Sequence, residues 1–243
     1  MTAILHNIDD ANRVNPNNLG TGWHLSNTNL ALKGPFGGHV FEPLTAIAYV
    51  RPADKLQRAK TYCIVGPFGH NHNSGESAIK HSHNSKTDVV INPQDLGDLL
   101  AGKAVVNGVG KIVDFYFEDV DKITGWELTV NAKHNWFDPR TEEIKEFIMT
   151  YQFGLFTPMS FYWPQIAVGA RMLLHGYVIR KDIVSGRFIV KLYLAITSVH
   201  PQFNYIISTN QCIYGIYGIE EGYNAKQGGH WEPLTGVDRC GDM

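Results

Sequence analysis

Two segments of the chain share one turn sequence, and this turn limits the fold more than any other feature. Residues 121–125 read Asp-Lys-Ile-Thr-Gly and residues 182–186 read Asp-Ile-Val-Ser-Gly. In such a turn the Asp carboxylate accepts backbone hydrogen bonds, and the Gly supplies the positive φ that a bulged hairpin needs. Runs rich in β-branched and aromatic residues flank both turns, at 105–117, 126–130, 173–181 and 188–197. The pattern predicts two antiparallel hairpins.

The rest of the pattern favours an all-β, mainly antiparallel fold. Further β runs stand at 45–50, 61–65, 88–92, 205–208 and 211–219, so we expect roughly eight to ten strands. We predict a β-sandwich of jelly-roll type with long loops, with a β-barrel as the alternative. The two hairpins differ in the spacing between the turn and the preceding glycine, so we do not interpret them as an internal repeat.

One short helix is predicted near 140–152. Acidic residues fall in its first turn, and apolar residues follow at helical spacing at 144, 147, 148 and 151. One or two helical turns are also predicted at 93–100, and a long polar loop at 66–87.

The chain divides into an N-terminal arm and one domain. Residues 1–38 are rich in Asn and Gly, which favours an extended polar arm with Trp23 as its anchor. Residues 39–243 are predicted to form a single β-rich domain, since β-folds of this length are routinely undivided.

Few side chains are ionised. The charged fraction is 18%, against about 25% in a typical domain, whereas aromatic residues make up 12%. We therefore predict an outer surface that is largely covered by other copies of the chain. This favours a non-enzymatic, self-assembling structural protein of the coat or lattice type. A β-rich monomer that carries Thr and Asn on its surface is the alternative interpretation.

Other bulk properties exclude several classes of function. The net charge of −2 gives no overall field for nucleic acid or anionic membranes. Three widely spaced cysteines make a disulfide framework and a thiolate zinc site improbable. We expect an intracellular protein, because the sequence has neither a signal peptide nor an apolar run of about 18 residues. Nucleophile elbows and phosphate loops are absent, so no catalytic residue is assigned and enzymatic activity stays an open question.

The segment from 70 to 83 could bind a metal. Its candidate ligands are His70, His72, Glu76, His81 and His83. On a strand, a His-x-His pair places both imidazoles on one face, and a nearby carboxylate completes a set suited to Fe, Mn or Zn. The His-x-His-x-x-x-Glu spacing resembles the first half of the cupin metal motif, which implies a metal-dependent barrel enzyme. The alternatives are a polar loop without a metal cofactor and a contact that responds to pH between about 5 and 7.

The second hairpin interleaves basic and aromatic residues, which suits single-stranded nucleic acid. The candidate residues are Arg180, Lys181, Arg187, Lys191, Tyr177 and Tyr193. A β hairpin with a glycine near its start also resembles the oligonucleotide-binding barrels, which implies a nucleic-acid-binding barrel as a further alternative. An exposed sheet face with ordinary salt bridges would produce the same pattern.

Overall fold

In the structure, a computed structural model, most of the described residues lie in β-strands, which confirms the all-β prediction. It describes residues 1–13, 20–92, 94–121, 125–156, 166–197 and 206–208. No helix in these ranges is long and apolar enough to cross a membrane.

The strands of the first half of the chain are β1 (Thr2–Asn7), β2 (Asn12–Arg13), β3 (Gly22–Lys33), β4 (His39–Val50), β5 (Thr61–Val65), β6 (Phe68–His70), β7 (Ser77–His81) and β8 (Lys86–Val89). A short helix, α1 (Leu96–Leu100), follows and agrees with the helical turn predicted at 93–100. The later strands are β9 (Ala104–Asp121), β10 (Gly125–Asp138), β11 (Glu143–Phe156), β12 (Arg171–Lys181), β13 (Phe188–Thr197) and β14 (Ile206–Ser208).

Strands β9 to β13 form a ring of five. β9 pairs with β10, β10 with β11, β13 with β12 and β12 with β9, all antiparallel, while β11 and β13 run parallel. The predicted hairpins at 105–130 and 173–197 are the β9–β10 and β12–β13 pairs. All these strands belong to one hydrogen-bonded sheet, which differs from the two separate sheets of a sandwich.

The first half of the chain repeats this arrangement. β1 pairs with β3, β3 with β4 and β6 with β7, all antiparallel, while β4 and β7 run parallel. β5 closes the ring by pairing with β1, and only residues 66–67 separate it from β6. If β5 and β6 are counted as one strand, both rings follow the order first, second, third, fifth, fourth. This Greek-key order of five strands is that of the oligonucleotide-binding fold.

Equivalent turns join the fourth and fifth strands of the two rings. In the first ring, Gly75 N–H donates to the Asn71 carbonyl at 2.8 Å; in the second, Gly186 N–H donates to the Asp182 carbonyl at 2.9 Å. Both glycines have positive φ, 74° and 68°. The turns at 71–76 and 182–187 therefore occupy equivalent positions in the two rings. The predicted turn at 121–125, which resembles 182–186 in sequence, joins the first and second strands instead.

The two rings share one hydrophobic core. Phe68 of β6 packs edge to face against Phe147 and Phe188 of the second ring, with ring centroids 5.7 and 5.3 Å away. Beside it, the indole of Trp136 covers the backbone of Gly69 so closely that an added Cβ would lie 2.0 Å from the ring. Glycine at 69 is therefore a requirement of the contact between the rings.

The helix predicted near 140–152 is wrong, because this segment is strand β11. Phe147, Met149, Tyr151 and Phe153 are all buried, and this alternation has the period of a strand. The apolar residues at 144, 147, 148 and 151 satisfy helical spacing as well, and pairing with β10 along almost the whole of β11 decides the outcome.

Residues 1–38 also differ from the predicted arm. Strands β1 and β3 belong to this segment and supply Leu5, Leu30 and Leu32 to the core, each at most 2% exposed. The predicted loop at 66–87 contains β6 and β7. The described part of the N-terminal segment is thus an integral part of the first ring.

Candidate functional site

Oligonucleotide-binding folds place their ligands across the second and third strands and the adjoining loops. In this chain those strands are β3 and β4 in the first ring and β10 and β11 in the second. The outward-facing side chains of these four strands therefore correspond in position to that binding face.

Two aromatic side chains of these strands flank Lys80 of β7, and a third packs against one of them. Trp23 and Tyr49 lie opposite each other on β3 and β4, with ring centroids 5.2 Å apart. Lys80 Nζ lies 5.4 Å from the centroid of Trp23 and 5.9 Å from that of Phe137, which belongs to β10. Tyr49 is 56% exposed and Phe137 is 48% exposed. We call Trp23, Tyr49, Lys80 and Phe137 the aromatic cluster; it spans both rings.

Three basic side chains form a row across adjacent strands of the second ring. Lys133 of β10 is directly opposite Lys111 of β9, which in turn is directly opposite Arg171 of β12. Residues paired in this way point to the same face of the sheet, and like charges directly opposite each other destabilise it. We call Lys111, Lys133 and Arg171 the basic row. Three basic side chains on one face can attract an anion.

One carboxylate partly balances the basic row. Glu146 Oε2 accepts a hydrogen bond from Lys133 Nζ at 2.9 Å, and the Glu146 side chain is 55% exposed. Exposed pairs of this kind are weak and are screened by salt. Glu146 therefore offsets the charge of Lys133, while the side chains of Lys111 and Arg171 are exposed on the same face.

Strand β10 connects the two features. Lys133, Asn135 and Phe137 alternate on its outward face, and the pairing of β10 with β11 is regular between them. Four residues of a strand span about 13 Å. The aromatic cluster and the basic row therefore form one continuous surface.

Of the predicted metal ligands, His70 and His72 lie together, with ring centroids 4.8 Å apart, but no third member of the set joins them. His70 Nδ1 is 2.9 Å from Ser77 Oγ, and His83 Nδ1 is 3.2 Å from Asp54 Oδ1. His81 Nδ1 lies 3.3 Å from the carbonyl of Ser82. Within the described ranges, no three His, Cys, Asp or Glu side chains come together as metal ligands. Metal binding at this segment stays a prediction.

Two members of that set instead join the rings. His72 Nε2 accepts a hydrogen bond from the backbone N–H of Ile148 in β11 at 2.8 Å. Glu76 lies 3.5 Å from Arg140 Nη1. The turn of the first ring is thus held against the second ring.

Burial keeps the inner imidazoles neutral. Burial, helped by the positive charge of Lys181, lowers the pKa of His70 to about 4. Burial also lowers the pKa of His81 to about 4. The pKa of His72 is lowered as well, first by burial and then by the charges of Arg187 and Lys181. His70 and His81 therefore do not change their charge between pH 5 and 7, the range in which the sequence predicts a pH-sensitive contact.

The predicted nucleic-acid residues of the second hairpin are dispersed. Lys191 and Tyr177 lie opposite each other, and Lys191 and Arg180 are exposed. The Lys181 ammonium, by contrast, is paired with Glu42 of the first ring and lies over the ring of Phe188. Arg187 ends the turn between β12 and β13, and the side chain of Tyr193 lies outside the described residues.

Sequence reasoning missed both parts of the surface. Trp23 was assigned to an arm, so its pairing with Tyr49 was not foreseen. Lys111 and Lys133 are 22 residues apart in the sequence, and only the register of β9 and β10 brings them together. Apolar and polar residues alternate only over 23–26, and the polar run at 27–29 that follows hides the strand in the sequence.

Comparisons with known proteins give little beyond this geometry. No protein-family model matches the chain, and no curated protein matches it. Among solved structures, it is similar to a deletion mutant of the single-stranded DNA binding protein from Thermus aquaticus. The two share 13% identity over 83% of this chain and 97% of that chain, with a TM-score of 0.44. This similarity is too low to carry a function from one chain to the other.

Proposed function

We propose that this protein binds single-stranded nucleic acid along the aromatic cluster and the basic row. The observation that carries the proposal is the half exposure of Tyr49, which packs on Trp23, and of Phe137, which lies beside Lys80. Both are on strands that oligonucleotide-binding folds use for their ligands.

The aromatic cluster suits unpaired bases. The faces of bases are free only in a single strand, where each can stack on an aromatic side chain for about 1–3 kcal/mol. The ammonium of Lys80, held between Trp23 and Phe137, lies within reach of the phosphates that link stacked bases. In a duplex, stacking between neighbouring base pairs covers these faces.

The basic row suits the backbone of the same strand. Its three basic side chains are clustered on one face, which is compatible with the net charge of −2 for the whole chain. Each phosphate that the row neutralises releases counterions, which makes the affinity fall with salt.

The test is a titration of a fluorescently labelled 20-nucleotide oligothymidine, followed by anisotropy, with a duplex of equal length alongside. We expect preference for the single strand, and a loss of about 5- to 150-fold for Tyr49→Ala or Phe137→Ala. The matched control is Phe36→Ala, an exposed Phe at the other end of the β3–β4 hairpin, about 33 Å from Trp23 by strand length.

Absence of binding, equal binding of the duplex, or unchanged affinity in both variants would overturn the proposal.

Self-assembly as a coat or lattice subunit, predicted from the low charge, stays a prediction. Sedimentation of the same preparation measures it independently of the oligonucleotide.

A further inference from the structure

A cleft opens where β9 and β10 separate. Their pairing ends at Lys111 and Lys133. Beyond that point, residues 106–109 of β9 and 134–137 of β10 line a cavity of about 340 Å³, together with Pro67 and Lys80 of the first ring. This volume lies within the range of small-molecule sites.

The lining changes from exposed to buried side chains. Asn107, Val109, Asn135 and Phe137 are exposed, with Val109 at 59% and Phe137 at 48%. Tyr151, which also lines the cleft, is only 1% exposed. The cleft therefore runs from the surface toward the core of the second ring.

The inner part of the cleft is neutral. Tyr151 Oη lies 2.8 Å from His134 Nε2, and the imidazole stacks on the ring of Phe147. Burial lowers the pKa of His134 to about 4, so the imidazole carries no charge near pH 7. Such surroundings favour a flat, uncharged ligand over a phosphate.

Two amides at the outer part have unused hydrogen-bonding capacity. Asn107 projects from β9 and Asn135 from β10. Across the part of the chain that the structure describes, neither side-chain amide has a hydrogen-bond partner. Each offers both donors and an acceptor, which is what the edge of a nucleobase requires.

We infer that this cleft binds one nucleobase of the bound strand and selects its identity; the inference rests on the proposed function. Lys80 and Phe137 belong both to the aromatic cluster and to the cleft, so a strand on the cluster reaches the cleft without leaving the surface. Stacking alone tolerates every base. Asn107 and Asn135 add a choice among bases.

The test compares 20-nucleotide homopolymers of thymidine, deoxyadenosine and deoxycytidine, because a homopolymer presents the same base to the cleft in every register. We expect the affinities of the wild-type protein to differ by about 5- to 100-fold between the best and the worst. In the double variant Asn107→Ala, Asn135→Ala they are expected to fall within about twofold of one another. Asn84→Ala, at an Asn outside the cleft, is the control and is expected to keep the preference.

A second variant, Val109→Trp, fills the cleft and is expected to remove the preference in the same way. If the wild-type protein binds all three homopolymers equally, or if the preference survives in both the double variant and Val109→Trp, the base-binding inference fails while the proposed function stands. If no homopolymer binds, the proposed function itself fails.

Discussion

The substitution Lys111→Gln tests two effects of the basic row separately: its effect on the stability of the fold and its effect on nucleic-acid binding. Lys111 is central in the row, directly opposite both Lys133 and Arg171. A directly opposed pair of like charges changes stability by about 0.2–1 kcal/mol. Removal of the central charge relieves this repulsion, part of which Glu146 already offsets at Lys133, so we expect Lys111→Gln to gain about 0.2–1 kcal/mol of stability at low salt. The gain should shrink at high salt, where exposed charges are screened.

The same change is expected to weaken binding. On a single strand, each phosphate contact adds about 0.7 to the slope of log affinity against log salt concentration. Lys111→Gln should therefore reduce that slope by about 0.7. Urea unfolding at 20 and 500 mM salt measures the stability, and anisotropy titrations with oligothymidine over the same salt range measure the slope.

Lys191→Gln is the matched control. Lys191 is exposed on the outer face of β13, but its strand partners are Tyr177 and Gln152, which are uncharged. We expect neither the gain in stability nor the change in slope. The reasoning is refuted if Lys111→Gln destabilises the protein at low salt, or if both lysine variants change the salt slope equally.

Two further predictions concern the fold. The pKa of Asp138, which is 0% exposed, is lowered to about 2 by hydrogen bonds from Arg140 and Lys145, against burial, which opposes the shift. Because this pKa is below its ordinary value of 3.8, the carboxylate contributes about 2 kcal/mol above pH 4, and this contribution disappears as the pH falls toward 2. Asp138→Asn should therefore lose that pH dependence in urea unfolding, and an undiminished dependence would contradict the assignment. Gly69→Ala should cost about 3 kcal/mol or more through its clash with Trp136. In a double-mutant cycle with Trp136→Leu the cost should be partly recovered, whereas additive costs would show that the clash is not the cause.

The class of fold was predictable from local signals, but its topology was not. The turn at 182–186 is stabilised by the Asp182 carboxylate, which accepts hydrogen bonds from the N–H and hydroxyl of Ser185. Five adjacent residues are therefore enough to specify such a turn. The parallel pairs β4–β7 and β11–β13 depend instead on segments about 30–40 residues apart, and no local pattern records them.

The helix near 140–152 shows how tertiary pairing overrides a local pattern. Phe147 and Tyr151 satisfy helical spacing and strand alternation alike, because positions four apart share a face in both. The burial of Met149 and Phe153 distinguishes a strand from a helix here, because positions two apart share a face only in a strand. The acidic residues taken for a helical start lie at 142 and 143, where β11 begins.

The candidate site was even less accessible to sequence reasoning. The clustered histidines at 70–83 predict a metal site, yet His72 accepts a hydrogen bond from the backbone of Ile148 and helps to hold the rings together. Tyr49, Lys80 and Phe137 come from three distant segments, and none carries a motif. Their common feature is exposure on a particular face of a ring, which only the strand order reveals.

The shared core has a consequence for the nascent chain. Phe68 emerges from the ribosome long before its aromatic partners Phe147 and Phe188, which follow 79 and 120 residues later. Until those residues have been synthesised, the first half of the protein presents an uncovered apolar edge, a condition under which growing chains aggregate or recruit chaperones. Translation of the second half thus protects the first.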